Sequence, residues 1–224
     1  MTYPAAHSNI AVIFDMDGVI CHTNPYHSIA FQEFFAARNL QPTEAEFAQH
    51  MFGKSNSYIM SHFLQRKIEG DELAAMEEEK EALFRNIYQP HISPIAGFMP
   101  FINSLHAAGI RIGVATSAPR ANLDLILDAV PIKHLFGSIM ASEDVSSHKP
   151  DPEVYLSSAQ NLGVLPENCL VFEDSFSGIT AGLNAGMQVI GVLTSHQANE
   201  LPACTRYIPD YLELNASDVL NILR

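Results

Sequence analysis

The sequence predicts a doubly wound α/β fold, in which a parallel sheet carries helices on both faces and a helical cap is inserted after the first strand. Short apolar runs alternate with segments of helical period, an order typical of βαβ units. Between residues 24 and 89 this alternation stops, and the pattern becomes helical without a convincing strand. The alternation predicts the sheet, and its interruption predicts the insertion.

Five runs have the length and composition of buried strands. They are short, continuous and apolar, as expected for strands covered on both faces of a parallel sheet. They comprise residues 10–14, 110–115, 138–141, 169–172 and 188–192. Four segments of helical period alternate with them, residues 97–108, 122–130, 152–162 and 175–185. We therefore expect right-handed crossovers between parallel strands.

The inserted segment contains at least three stretches of helical pattern, residues 25–38, 57–67 and 71–88. Residues 92–97 contain a proline and end in a glycine, which is typical of a linker. We therefore expect two modules. Residues 1–22 and 92–224 would form the α/β core, and residues 23–91 the helical cap.

The composition disfavours several classes of partner. The 224 residues include 12 Lys and Arg against 25 Asp and Glu, and the formal net charge of −13 argues against binding nucleic acid or an anionic membrane. The three cysteines show no CxxC spacing, no run approaches the ~20 apolar residues of a membrane span, and residues 1–9 do not resemble a signal peptide. We expect a cytoplasmic protein that binds a small molecule. The oligomeric state stays open, and a monomer is compatible with the sequence.

Two acids end the first predicted strand. Asp15 and Asp17 lie two residues apart, and Gly18 lets the backbone turn after them. Ligands of open α/β sheets bind at the carboxyl ends of strands, and closely spaced carboxylates need a cation or a proton between them. Mg²⁺ fits this requirement because it prefers oxygen ligands. The alternative is an Asp-Gly turn beside a solvated carboxylate.

Polar residues also follow the other predicted strands. Thr116 and Ser117 precede a proline-initiated helix and either bind an anion or simply cap that helix. Lys149 lies between a histidine and a proline, either in a site or as a solvated charge. Glu173 and Asp174 end the strand 169–172 and either bind a metal or cap the next helix.

Taken together, these residues place Asp-x-Asp, Thr/Ser, Lys and Glu-Asp at successive strand ends of one sheet. In that order they resemble the motifs of the haloacid dehalogenase (HAD) superfamily over nearly the full chain. The insertion is similar to that of the helical-cap subfamily that contains β-phosphoglucomutase and phosphoglycolate-type phosphatases. The resemblance implies a Rossmann-like core and Mg²⁺-dependent phosphoryl transfer.

The resemblance also implies roles for individual residues. Asp15 would be the nucleophile that becomes an aspartyl phosphate, and Asp17 the general acid and base. Thr116, Ser117 and Lys149 would hold the phosphoryl oxygens, with Gly18 beside them. The metal site would comprise Asp15, Asp174, the backbone carbonyl of Asp17, and Glu173, with Glu173 in a neighbouring or supporting role.

Several further residues resemble substrate-binding positions of the subfamily. Most lie in the cap, while Arg120 follows the presumed phosphate loop: His27, Lys54, Asn56, Lys80 and Arg120. His27 is equally compatible with a helix face, Lys80 with surface pairing to nearby glutamates, and Arg120 with a surface arginine. The mutase has an arginine at the position of Asn56, and a neutral amide cannot replace a guanidinium.

Three functions are compatible with this pattern. Hydrolysis of a small, sugar-like phosphomonoester is the first, and a β-phosphoglucomutase-like transfer to a sugar hydroxyl is the second. The third is a phospho-accepting signalling module, which the length and the cap disfavour. The sequence does not identify the physiological substrate or the pathway.

Overall fold

The computed structural model describes residues 9–51 and 55–224, and the side chains of Glu44 and Ala48 are also outside the description. The chain divides into two compact units. One comprises the described residues up to His22 together with Ile92–Arg224, and the other comprises the described residues of Thr23–His91.

The first unit is built on a six-stranded, wholly parallel sheet. Its strands are β1 (Ala11–Phe14), β2 (Arg111–Ala115), β3 (Ser138–Met140), β4 (Cys169–Glu173), β5 (Gln188–Val192) and β6 (Arg206–Ile208). Their order across the sheet is β3-β2-β1-β4-β5-β6. Strand β1 is therefore flanked by β2 and β4, at the point where the strand order reverses. The predicted α/β class is confirmed.

The helices, in chain order, are α1 (Asn24–Ala36), α2 (Glu44–His50), α3 (Asn56–Phe63), α4 (Gly70–Tyr88), α5 (Phe98–Ala107), α6 (Arg120–Ala129), α7 (Glu153–Leu162), α8 (Phe176–Asn184) and α9 (Ala216–Ile222). The first four lie in the inserted unit, where the predicted stretch 57–67 was too long. Helix α3 ends at Phe63 because Gln65 adopts a left-handed conformation with φ of 54°. None of the helices in the described ranges combines the length and the apolar character that a bilayer crossing requires.

Alternating residues of the central strands supply two separate packing layers. Ile13 and Val171 join the layer that contains residues of α7 and α8, including Tyr155 and Ile179. Phe14 and Phe172 face an aromatic cluster on the other side, where their ring centroids lie 5.1 Å apart. The remaining members of that cluster are Phe98, Phe101 and Tyr211. Because both sides of the sheet are covered, the polar residues that end β1 and β4 are held at the edge of a rigid core.

Candidate active site

Asp15 is the first residue beyond β1. Its amide donates to the carbonyl of Phe172 at 3.0 Å, which continues the pairing of β1 with β4 by one further bond. The side chain is buried, with 7% exposure. Because β2 and β4 flank β1, Thr116 and Glu173 lie at the neighbouring strand ends. The sheet order thus brings together three of the motifs found in the sequence.

Lys149 connects two of the buried acids. Its ammonium group donates to Asp15 Oδ1 at 2.6 Å and to Glu173 Oε1 at 2.7 Å. A third bond, of 3.2 Å, goes to the carbonyl of Ala115, the residue before Thr116. The lysine side chain is only 4% exposed. Lys149 is therefore a buried cation that joins the ends of β1, β2 and β4, and the reading as a solvated charge is wrong.

Glu173 is held by several protein donors. Its Oε1 accepts from Tyr155 at 2.8 Å as well as from Lys149. Its Oε2 accepts from the amide of Asp174 and from the amide and hydroxyl of Ser175, at 3.0 to 3.1 Å. Gly178 leaves room for this carboxylate, since a Cβ there would lie 1.7 Å from Glu173 Oε1. This geometry fits a carboxylate that orients Lys149.

The electrostatics of the cluster follow from its burial. Burial raises the pKa of Asp15 to about 7, the charge of Lys149 opposes that rise, and the charges of Glu173 and Asp17 add to it. Burial disfavours the charged form of Lys149, but the charges of Asp15 and Glu173 outweigh this effect and raise its pKa. Lys149 therefore stays cationic, while the proton affinity of Asp15 depends on any further positive charge nearby.

The acids of the cluster fit a divalent cation. Carboxylate oxygens of Asp15, Glu173 and Asp174 all lie within 4.8 Å of one another, and all three residues are buried. Lys149 pairs with only two of these acids, Asp15 and Glu173, and the charge of Asp17 also acts on Asp15, so a further cation would offset the excess negative charge. An oxygen-only donor set is the kind that Mg²⁺ prefers.

Thr116 and Ser117 form the loop after β2. Thr116 is buried, and its hydroxyl accepts from the amide of Ala118 at 3.1 Å, whereas Ser117 is exposed. Arg120 is engaged elsewhere. Its guanidinium group pairs with Asp144, and its amide donates to both carboxylate oxygens of Glu143 at 3.0 Å. These contacts tie the start of α6 to the loop after β3.

Gly18 turns the chain after Asp17. Its φ of 68° lies in the left-handed region, which a residue with a Cβ rarely adopts. Its amide donates to the carbonyl of Cys21 at 2.9 Å. The turn predicted from the Asp-Gly sequence is therefore present.

The inserted unit contains a polar cluster of its own. Lys80 is buried, with 2% exposure, and its ammonium group lies 2.8 Å from His27 Nδ1 and 2.7 Å from Glu81 Oε1. Asn56 Nδ2 donates to the same glutamate oxygen at 3.5 Å. Burial of Lys80 contradicts the surface-pairing interpretation. Three of the predicted cap residues are thus neighbours, while Lys54 lies outside the described residues.

Sequence reasoning missed several residues of the core site. Tyr155 reaches Glu173 from α7, where the helical pattern marks it only as a core residue. Thr194, Ser195 and His196 begin two residues after the end of β5, and they contact Gly18 or Asp174. Polar residues just beyond a predicted strand indicated the other motifs, and the same criterion would have indicated residues 194–196. Glu81 of the cap cluster was treated only as a partner for surface pairing.

Comparison with known proteins agrees with this architecture. The profile described as haloacid dehalogenase-like hydrolase matches residues 12–192. The fructose-1-phosphate phosphatase YqaB of Escherichia coli is 31% identical over 183 residues, which cover 81% of this chain and 95% of that protein.

Two solved structures show similar folds. The HAD hydrolase of family IA, variant 3, from Entamoeba histolytica has a TM-score of 0.90 and 26% identity, covering 96% of this chain and 99% of that one. CbbY from Rhodobacter sphaeroides, in complex with xylulose-(1,5)bisphosphate, has a TM-score of 0.79 and 25% identity, covering 91% and 95%. With a family profile that spans most of its length, this chain belongs to the haloacid dehalogenase-like hydrolases.

Proposed function

We propose that the protein is a Mg²⁺-dependent phosphatase that hydrolyses a small sugar phosphate through an aspartyl phosphate on Asp15. The contact of Lys149 with Asp15 at 2.6 Å carries this proposal. It holds a buried cation beside the carboxylate, where it can bind a phosphoryl oxygen during attack. Charge stabilisation and positioning are the main demands of phosphoryl transfer.

The first half-reaction assigns a role to each side chain. An oxygen of the Asp15 carboxylate attacks phosphorus, and the bond between phosphorus and the ester oxygen breaks. Asp17 gives its proton to that leaving oxygen, which departs as the alcohol. Lys149 and the Thr116 loop hold the phosphoryl oxygens while charge shifts among them.

The second half-reaction regenerates the enzyme. Asp17, now ionised, takes a proton from water as the water oxygen attacks phosphorus. The bond from phosphorus to Asp15 breaks, and inorganic phosphate leaves. Asp15 and Asp174 through their carboxylates, and Asp17 through its backbone carbonyl, would hold Mg²⁺, which supplies positive charge to the phosphoryl group when bound. Glu173, with its protein donors, would keep Lys149 oriented.

The relatives support a sugar phosphate as the substrate class. One is named a fructose-1-phosphate phosphatase, and another was solved with a ketose bisphosphate. The cap holds Lys80, His27 and Asn56 within one polar cluster, which is consistent with a polar substrate. Asn56 offers no charge for a second phosphate, so we favour transfer to water over transfer to a sugar phosphate.

A panel of phosphate esters tests this proposal. Fructose 1-phosphate, xylulose 1,5-bisphosphate, glucose 1-phosphate and phosphoglycolate are incubated with the protein and Mg²⁺, and released phosphate is measured. We expect turnover of at least one sugar phosphate and none by Asp15→Asn. Asp128→Asn is the matched control, because the same change at an exposed aspartate should leave turnover intact.

Other outcomes would contradict the proposal. Isomerisation of glucose 1-phosphate that depends on a bisphosphate primer would identify a mutase. Stable labelling of the protein by a small phosphodonor, without hydrolysis of any ester, would identify a signalling module.

A further inference from the structure

Three consecutive residues beyond β5 contact both acid-bearing loops of the core unit. We call them the 194–196 segment: Thr194, Ser195 and His196. In the sheet, β4 lies between β1 and β5. The continuation of β5 therefore has to pass the end of β4 in order to reach the loop after β1.

Thr194 makes the contact with the loop after β1. Its hydroxyl donates to the carbonyl of Gly18 at 2.6 Å. Gly18 has no Cβ and thus the freest backbone of any residue, and it follows Asp17 directly. The strand ladder cannot restrain it, because the pairing of β1 with β4 ends with the amide of Asp15. The amide of Gly18 is held only within its own loop, by the carbonyl of Cys21, whereas the Thr194 hydroxyl ties the carbonyl of Gly18 to a different strand end.

Ser195 and His196 make the contacts with the loop after β4. The Ser195 hydroxyl donates to Asp174 Oδ2, and His196 Nδ1 lies 3.1 Å from the carbonyl of Asp174. One short segment thus holds the backbone of Gly18 on one side and both the side chain and the backbone of Asp174 on the other. These two loops carry the acids that we assign to Mg²⁺.

We propose that the 194–196 segment sets the spacing of the two metal-binding loops, and that Thr194 is a positioning residue for the metal site. Without the Thr194 hydroxyl, the loop at Gly18 is no longer tied to the 194–196 segment, and the adjoining Asp17 loses its fixed place relative to Asp174. The cost appears when Mg²⁺ binds, because the loop then has to be ordered. This inference rests on the metal site of the proposed function.

Thr194→Val tests it, since valine keeps the size of threonine and removes only the hydroxyl. Mg²⁺ binding is measured by calorimetric titration of the substrate-free protein. A hydrogen bond of ordinary strength corresponds to roughly fivefold in an equilibrium constant, so we expect about fivefold weaker Mg²⁺ binding. Thr194→Ser keeps the hydroxyl and should restore the affinity of the wild type.

A matched control shows whether weaker Mg²⁺ binding is specific to the Thr194 hydroxyl or follows the loss of a threonine hydroxyl anywhere in the core unit. Thr180 donates to the carbonyl of Phe176 at 2.7 Å on the outside of α8, so Thr180→Val removes a similar bond away from the site. It should bind Mg²⁺ as the wild type does. The melting temperatures without Mg²⁺ show whether each variant is folded. If Thr194→Val does not fold, Thr194→Ala takes its place, because it also lacks the hydroxyl.

Two failures are distinguishable. A wild type that does not bind Mg²⁺ would refute the metal site of the proposed function. A wild type that binds Mg²⁺, together with a folded Thr194→Val or Thr194→Ala of equal affinity, would overturn the role of Thr194 alone.

Discussion

Lys149 carries more of the proposed chemistry than any other cation of the core unit described here. It is buried, and it contacts Asp15 and Glu173 at 2.6 and 2.7 Å. Removing one partner of a buried ion pair leaves the others uncompensated, which typically costs several kcal/mol. The same residue therefore affects both stability and turnover.

Lys149→Met should lower both quantities. We expect a loss of about 3–5 kcal/mol in the free energy of unfolding from the uncompensated carboxylates. We also expect kcat to fall by about two to three orders of magnitude, as for other lost transition-state donors. Denaturant unfolding and steady-state kinetics measure the two effects. In the exposed control Lys133→Met, where the lysine pairs with Asp124 and Asp128, stability should change little, because solvent screens such surface pairs. A wild-type kcat in Lys149→Met would contradict the assigned role.

At the residue scale, the sequence indicates most residues of the strand-end cluster, because each follows an apolar run that predicts a strand. Asp15, Thr116 and Glu173 are examples. Tyr155 was not identified, since its contact with Glu173 depends on how α7 packs on the sheet. Arg120 shows the reverse case. The sequence suggests it as a substrate-binding residue or a surface arginine beside the Thr116 loop, but its pairing with Asp144 depends on the course of the loop after β3.

Helix α8 acts on the site through its first turn. Ser175 caps this helix by accepting from the amide of Gly178 at 3.0 Å, and the same hydroxyl donates to Glu173. The absence of a side chain at Gly178 allows the helix to begin against that carboxylate. The geometry of Glu173, and through it that of Lys149, therefore depends on one glycine.

Gly178→Ala should disturb the site and the fold together. Its Cβ would lie 1.7 Å from Glu173 Oε1, so the carboxylate or the helix must move. We expect a cost of about 1–3 kcal/mol in unfolding free energy, as for other overpacked sites, and a lower kcat. Chemical denaturation and kinetics of the folded fraction give the two values.

Gly182→Ala on the same helix is the control. Its Cβ would approach Val189 Cγ2 at 2.8 Å, on the side of α8 that packs against the sheet. It should lower stability without changing the kcat of the folded protein. Equal kcat losses in both variants would contradict the special role of Gly178.

Whether a strand or helix can be predicted from the sequence depends on how many of its residues are buried. The five runs that the pattern predicted as strands are present, and the four that form the interior of the sheet, β1, β2, β4 and β5, are buried over most of their length. Strand β6 was not predicted, since only Ile208 of its three residues is buried, whereas two of the three residues of β3 are. Helices α2 and α9 are seven residues long and rely on capping boxes led by Thr43 and Asn215. Such short segments give too little periodicity to be recognised.

At the scale of the whole molecule, the protein has an excess of negative charge, and this excess repels a phosphate ester, which is itself an anion. The formal net charge is −13. Attraction of a phosphate ester must therefore be local, and in the core unit it would come from Lys149, the loop at Thr116 and a bound Mg²⁺. Part of the acidic excess belongs to this site, because Asp15, Asp17, Glu173 and Asp174 all lie there.

The stability of the metal-free protein should depend on pH through Asp15. Its pKa is raised from 3.8 to about 7, mainly by burial. The folded state therefore binds a proton that the unfolded state has released, and Asp15 contributes stability that is present at low pH and lost as pH rises through about 7. A bound cation would favour the ionised form, so the Mg²⁺-induced rise in melting temperature should grow from about pH 5 to about pH 8.

Thermal unfolding with and without Mg²⁺ across this pH range tests whether Mg²⁺ binding is coupled to the ionisation of Asp15. Asp15→Asn has no proton to exchange at this position and should show a flatter pH dependence. A Mg²⁺ effect that is independent of pH in the wild type would contradict the assignment of Asp15 to the metal site.

The central claim is that Asp15 becomes phosphorylated during turnover. Its most direct test is the intact mass of protein quenched in acid during hydrolysis of a sugar phosphate, followed by peptide mapping. Wild-type protein should carry one phosphoryl group on Asp15, and Asp17→Asn should both gain and lose this group more slowly, because Asp17 is the acid of the first step and the base of the second. Asp15→Asn should carry none and should not turn over. Full turnover by Asp15→Asn, or a phosphoryl group mapped to another residue, would contradict the account.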